Sequence, residues 1–150
     1  LTTLFPEARV KRFIEMRGAD AGSWQSLCAL PAFWVGLLYD GATQKRVADM
    51  IADWTQDERD KLRRRAPVSG LATPFRGGTL RDLAADVVAL AEQGLQARAN
   101  LDGTGSNETH FLHTLQDSVA LGQTPADSLL AKFNGEWQGQ VAPIFDTLAF

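Results

Sequence analysis

RVKRFIEMRG, residues 9–18, is the stretch on which the reading of the fold depends. Val10, Arg12, Ile14 and Met16 alternate with Lys11, Phe13, Glu15 and Arg17, which is the period of two of a β-strand. Gly18, with Gly22 close behind, turns the chain. This is the only convincing strand in the sequence. One strand makes no sheet, so it either pairs with strands from outside these residues or is left as a bare edge.

Everything downstream reads helical. Leu27 to Tyr39 is apolar nearly all round, which predicts a buried helix. Pro31 marks its first turn or a kink. Val47, Met50, Ile51 and Trp54 share one face of a helix over Ala42–Trp54. Thr55 with Glu58 is a capping box that opens a helix to about Arg65. Pro67, Gly70, Pro74, Gly77 and Gly78 then make a loop. Thr79 with Asp82 opens a long helix through Leu83, Val87, Leu90 and Leu95 to about Asn100. A polar loop, Asp102 to Asn107, precedes a helix over His110–Leu121. Thr124-Pro125 starts another that runs to about Phe133 and stops at Asn134-Gly135. In the apolar tail from Val141 to Phe150, Pro143 starts a last helix.

Composition excludes several classes. The chain has 150 residues, 45% hydrophobic and 22% charged, as expected for one globular domain. Its net charge of −3 argues against a general nucleic-acid grip. Residues 1–75 hold 11 basic and 9 acidic side chains, against 4 and 9 in residues 76–150, so an anion site belongs in the first half. The single cysteine, Cys28, allows no internal disulfide and no cysteine-built zinc site. The longest apolar run is too short to span a bilayer. A start at Leu1 rather than methionine suggests a piece of something longer.

Four groups could carry chemistry. Glu15 and Arg17 lie on one face of the strand, roughly 6.5–7 Å apart at Cα. A carboxylate there suits Mg²⁺ and a guanidinium suits phosphate. The same spacing also describes a plain surface ion pair, the commoner case. Arg63-Arg64-Arg65, with Arg59 and Lys61, reads as an anion patch or as a solvated helix end favoured by the dipole. His110 and His113 could share a helix face and a metal, but no third ligand follows at a telling spacing. Cys28, in an apolar run, reads as buried, quiet packing.

Three longer stretches carry a resemblance. Residues 1–40, LTTLFPEARVKRFIEMRGADAGSWQSLCALPAFWVGLLYD, are similar to the corresponding stretch of glutamate–cysteine ligases of the plant and proteobacterial type. So are residues 49–95, DMIADWTQDERDKLRRRAPVSGLATPFRGGTLRDLAADVVALAEQGL, and residues 124–146, TPADSLLAKFNGEWQGQVAPIFD. The resemblance implies an α+β fold. Residues 1–150 would be the mostly helical C-terminal region of a glutamine-synthetase-like catalytic domain, contributing one strand to an antiparallel sheet, with the N-terminal part absent. It implies ATP-dependent joining of the glutamate side-chain carboxylate to cysteine through an acyl phosphate, the first step of glutathione biosynthesis. Mg²⁺ would hold the phosphates. The Glu-x-Arg pattern of related ligases carries over to Glu15 as a metal ligand and Arg17 as the catalytic arginine at the transferred phosphoryl group. The implied partners are glutamate, cysteine, ATP and the missing N-terminal part, and the implied location is cytoplasmic. The rivals are another ATP-dependent carboxylate–amine ligase and a non-catalytic helical interaction domain.

Overall fold

The computed structural model describes residues 7–19 and 22–148. In chain order these residues form β1 (Ala8–Val10), β2 (Ile14–Met16), α1 (Trp24–Leu38), α2 (Gly41–Ile51), α3 (Gln56–Ser69), β3 (Pro74–Phe75), β4 (Gly78–Thr79), α4 (Leu80–Arg98), α5 (His113–Leu121), α6 (Pro125–Asn134) and α7 (Pro143–Thr147). Short 3-10 turns precede β3 and α5. The class is α+β and mostly helical, as expected. The helix starts fall where their caps lie. Thr55 with Glu58, Thr79 with Asp82 and Thr124 with Asp127 each close a capping box. Each box satisfies two backbone N–H groups that a helix start leaves without partners.

The strand expectation needs correcting. Residues 9–17 are not one strand but an antiparallel hairpin, in which Arg9 faces Glu15 and Val10 faces Ile14. The turn is Lys11-Arg12-Phe13, which contains no glycine, proline or asparagine to announce it. Two further strands, β3 and β4, pair inside the segment expected to be a loop. Four helices also differ from expectation. α2 ends at Ile51, so Trp54 lies beyond it and not on its face. α1 starts earlier, because Ser23 caps it by accepting from the Ser26 N–H. α3 runs through Pro67 to Ser69, although the proline gives up the one ladder bond that an N–H there would donate to the Arg63 carbonyl. Residues 108–112 are a 3-10 turn rather than the first turn of α5.

The core lies between α1 and α4. Ala32 and Leu37 of α1 are buried with Leu90, Ala91 and Leu95 of α4 and Leu112. The crossing is close because Gly36 and Gly94 have no side chains: a Cβ on either would strike the backbone of the other helix. Arg81, near the start of α4, donates to the Val119 carbonyl at 2.6 Å and also to the Ala120 carbonyl. Both carbonyls lie at the C-terminal end of α5, where a helix leaves acceptor capacity over, although Val119 also accepts the Gly122 N–H; the guanidinium ties the two helices together.

Arg76 performs a similar task just before the same end of α4. It sits with Gly77 at the tip of the β3–β4 hairpin, both at positive φ. Its Nε and Nη2 donate to the two Glu58 carboxylate oxygens at 2.6 and 2.8 Å. Its Nη1 donates to Asp53 Oδ1 at 2.7 Å. Trp54 and Phe75 pack edge to face beneath this, with ring centroids 4.9 Å apart. The hairpin tip is thereby stapled to the α2–α3 corner.

Arg76, followed by the Thr55 N–H, holds the Glu58 carboxyl at about 2, below its ordinary 4.5. A carboxyl depressed in the folded state adds stability above its unfolded value and loses it as pH falls through the folded one. Arg76→Ala should therefore melt below wild type near neutral pH, and the gap should narrow as pH drops from 4.5 toward 2. Melting curves across that range test it; a gap that stays constant with pH would show that Glu58 is not the partner that matters.

Candidate functional site

The hairpin brings together more charge than the Glu-x-Arg spacing alone implies. Antiparallel pairing sets Arg9 directly across from Glu15, and its Nε lies 3.2 Å from Glu15 Oε2. Lys11 folds back from the turn and places its Nζ 3.2 Å from the same oxygen. That oxygen is closed off from solvent, and neither contact is a well-aimed hydrogen bond. The Lys11 ammonium above all, then the charges of Arg9 and Arg17, hold the Glu15 carboxyl below its ordinary value against the opposing effect of desolvation. Glu15 is thus ionised at neutral pH. Its other oxygen, Oε1, enters no ion pair among the described residues.

Arg17 lies just beyond β2, where its backbone N–H donates to the Glu7 carbonyl at 2.7 Å and extends the ladder by one rung. Its side chain is half-buried and forms no ion pair with any described residue. The hairpin therefore presents two unlike groups: a carboxylate already held by two cations, and a guanidinium that pairs with no carboxylate among the described residues. The second is the better equipped to receive an anion.

The described residues go only part of the way to a magnesium site. They contain no cluster of three or more His, Cys, Asp or Glu side chains placed to hold a metal. Magnesium takes six oxygen ligands in octahedral geometry. Glu15 Oε1 could supply one; phosphate oxygens, water or other side chains would have to supply the rest.

The remaining candidates are not brought into this site. Arg63 pairs with Glu7 at 2.9 Å, which docks α3 against the hairpin. Because α3 continues to Ser69, the three arginines lie inside the helix rather than in its last turn, and Lys61 is held by Asp57 at 2.6 Å. His110 sits in the 3-10 turn, its Nδ1 2.7 Å from the Asn107 carbonyl, while His113 begins α5. They do not share one helical face. Cys28 is half-buried rather than buried. Arg9 and Lys11 were not singled out in sequence because a lone strand offers no residue opposite Glu15. Only a turn at residues 11–13 would have revealed them.

No helix among the described residues is long and apolar enough to cross a membrane. Known proteins sharpen the reading. The chain is 51% identical over all 150 residues to the chloroplastic glutamate–cysteine ligase of Nicotiana tabacum and to that of Arabidopsis thaliana. It is 49% identical to chloroplastic glutamate–cysteine ligase A of Oryza sativa subsp. indica. Those relatives are chloroplastic by name, which departs from the cytoplasmic expectation. The chain spans 28% of the length of the first two and 29% of the third. Residues 1–147 match the model of glutamate-cysteine ligase family 2, and the chain belongs to that family.

Proposed function

We propose that the full-length protein joins the side-chain carboxylate of L-glutamate to the amine of L-cysteine at the expense of ATP, the first step of glutathione biosynthesis, and that residues 1–150 are the C-terminal region of its catalytic domain. The observation that carries the site reading is the Arg17 guanidinium, which pairs with no carboxylate among the described residues, on the strand that carries ionised Glu15, in the Glu-x-Arg order of related ligases. The wider fold in this reading is glutamine-synthetase-like, with the β1–β2 hairpin continuing into a larger antiparallel sheet. An isolated hairpin is marginal in water, which favours such an extension.

The chemistry follows from phosphoryl transfer. A glutamate carboxylate oxygen attacks the γ-phosphorus of ATP, the bond to the bridging oxygen breaks, and ADP leaves. The cysteine amine then attacks the resulting acyl phosphate. Phosphate departs, the amine loses a proton and the amide forms. Positioned cations stabilise the phosphoryl group in flight more than any covalent help does. Arg17 supplies a fork of donors to its oxygens. Arg9 and Lys11 keep Glu15 charged and fixed. Magnesium, when bound, neutralises phosphate oxygens, and Glu15 would furnish one of its ligands. The compartment in this reading is an aqueous, reducing one, whether cytoplasm or plastid.

The test is an assay of the full-length protein for γ-glutamylcysteine with ATP, glutamate, cysteine and magnesium, omitting each in turn. Product that needs all four is expected, and none with all four present would sink the function. Glu15→Gln should lose at least about tenfold in turnover, with part of the loss recovered at higher magnesium, as for a missing carboxylate ligand. Turnover of Glu15→Gln that stays near wild type at low magnesium would remove Glu15 from the metal's shell.

A further inference from the structure

Helix α1 carries no charged side chain in its 15 residues. One stripe, Ala29, Ala32, Gly36 and Leu37, is buried against α4. The opposite stripe of the first turns is apolar as well. Trp24, Leu27 and Pro31 recur at helical spacing, with Cys28 between them, and all three are exposed, Trp24 by 70% and Leu27 by 43%. A helix that is apolar all round belongs in an interior. The expectation that this helix is fully buried therefore fails, chiefly along this face, and the face still has the composition of a core.

The whole molecule points the same way. It exposes 10529 Å², whereas a compact monomer of 16.4 kDa exposes about 7,500 Å². Surface that a folded chain normally covers is open here. The tobacco relative provides the missing mass: the matched region is 28% of its length.

We infer that the Trp24–Leu27–Pro31 face of α1 is a seat for polypeptide preceding Leu1 in the same longer chain, so that this apolar stripe is an internal packing surface of the complete protein. The inference rests on the proposed reading of the chain as a C-terminal region. The occupant is a segment of mainly apolar side chains, since the face offers no charge and only the Trp24 indole N–H as a donor. A second copy of the chain fits less well. Two turns of one helix fall short of the roughly 800 Å² per partner that a stable interface buries.

Thiol footprinting of the purified full-length protein tests this. Leu27→Cys and Trp24→Cys are made separately, with Gln44→Cys on the exposed side of α2 as reference. Maleimide labelling at each position is followed by peptide mass spectrometry over a range of protein concentrations. At least one of the two α1 positions is expected to label ten or more times slower than Gln44→Cys at every concentration. Labelling of both within tenfold of the reference would overturn the inference. Protection that vanishes on dilution to monomer would assign the face to a second copy and overturn it too. The readout does not depend on catalysis: fast labelling in an active ligase sinks this inference alone, and slow labelling in a protein that makes no γ-glutamylcysteine sinks only the proposed function.

Discussion

Arg17→Ala in the full-length protein is expected to cost about 10³–10⁵-fold in turnover, the range for arginines that meet charge on a transferred phosphoryl group. Its melting temperature should move little. Arg17 forms no ion pair among the described residues, so truncation leaves no carboxylate among them stranded. Its contribution to the hairpin runs through the backbone N–H to the Glu7 carbonyl, which alanine keeps. A surface pairing role would instead be worth about 0–1 kcal/mol of stability and nothing in rate. Arg17→Lys should recover only part of the loss, because an ammonium keeps the charge but not the planar fork. The loss should appear mainly in kcat, since the guanidinium works hardest when charge builds on the phosphoryl oxygens. Turnover of Arg17→Ala within a few-fold of wild type would end the catalytic assignment.

The contrast between Arg17 and Glu15 also shows where sequence reasoning stops. Their shared face follows from the period of a strand, and it survives in the hairpin because β2 keeps that period. What could not be read was the partner across the ladder. Register depends on where the chain reverses, and Lys11-Arg12-Phe13 reverses without a residue that favours turns. Glu15 therefore reads as paired with Arg17 in sequence but is held by Arg9 and Lys11 in three dimensions.

Helix starts were the most legible feature because capping is local chemistry. Thr55, Thr79 and Thr124 each need only a partner three residues on. Helix ends were harder. Pro67 suggests a stop after Arg65, but α3 runs on to Ser69 at the cost of one ladder bond. The roles of Arg76 and Arg81 were invisible for another reason. Each bridges residues at least 18 positions apart, and no periodicity encodes such a contact. The half-burial of Cys28 follows from the uncovered face of α1 on which it lies.

Gly94→Ala is expected to destabilise the full-length protein by about 3 kcal/mol or more, the upper end of what overpacking costs. In an ordinary helix interior the same change gains up to about 1 kcal/mol, because glycine forfeits backbone entropy on folding. The sign reverses here because of the helix crossing. A Cβ on Gly94 would overlap the Gly36 carbonyl oxygen and stand 2.8 Å from its carbonyl carbon. A Cβ on Gly36 would meet the Ala91 carbonyl in the same way. These obstacles are backbone atoms inside two long helices, so no side chain can rotate aside. Relief requires α1 and α4 to separate, which would open the packing of Leu37, Leu90 and Leu95. Gly41→Ala is the matched control: it lies at the start of α2 with nothing within 4 Å of its would-be Cβ, and should be neutral or slightly stabilising. Thermal or urea midpoints of the two variants against wild type decide the matter. A Gly94→Ala protein at least as stable as wild type would mean that α1 and α4 do not touch at their glycines, and the core described here would be wrong at its centre.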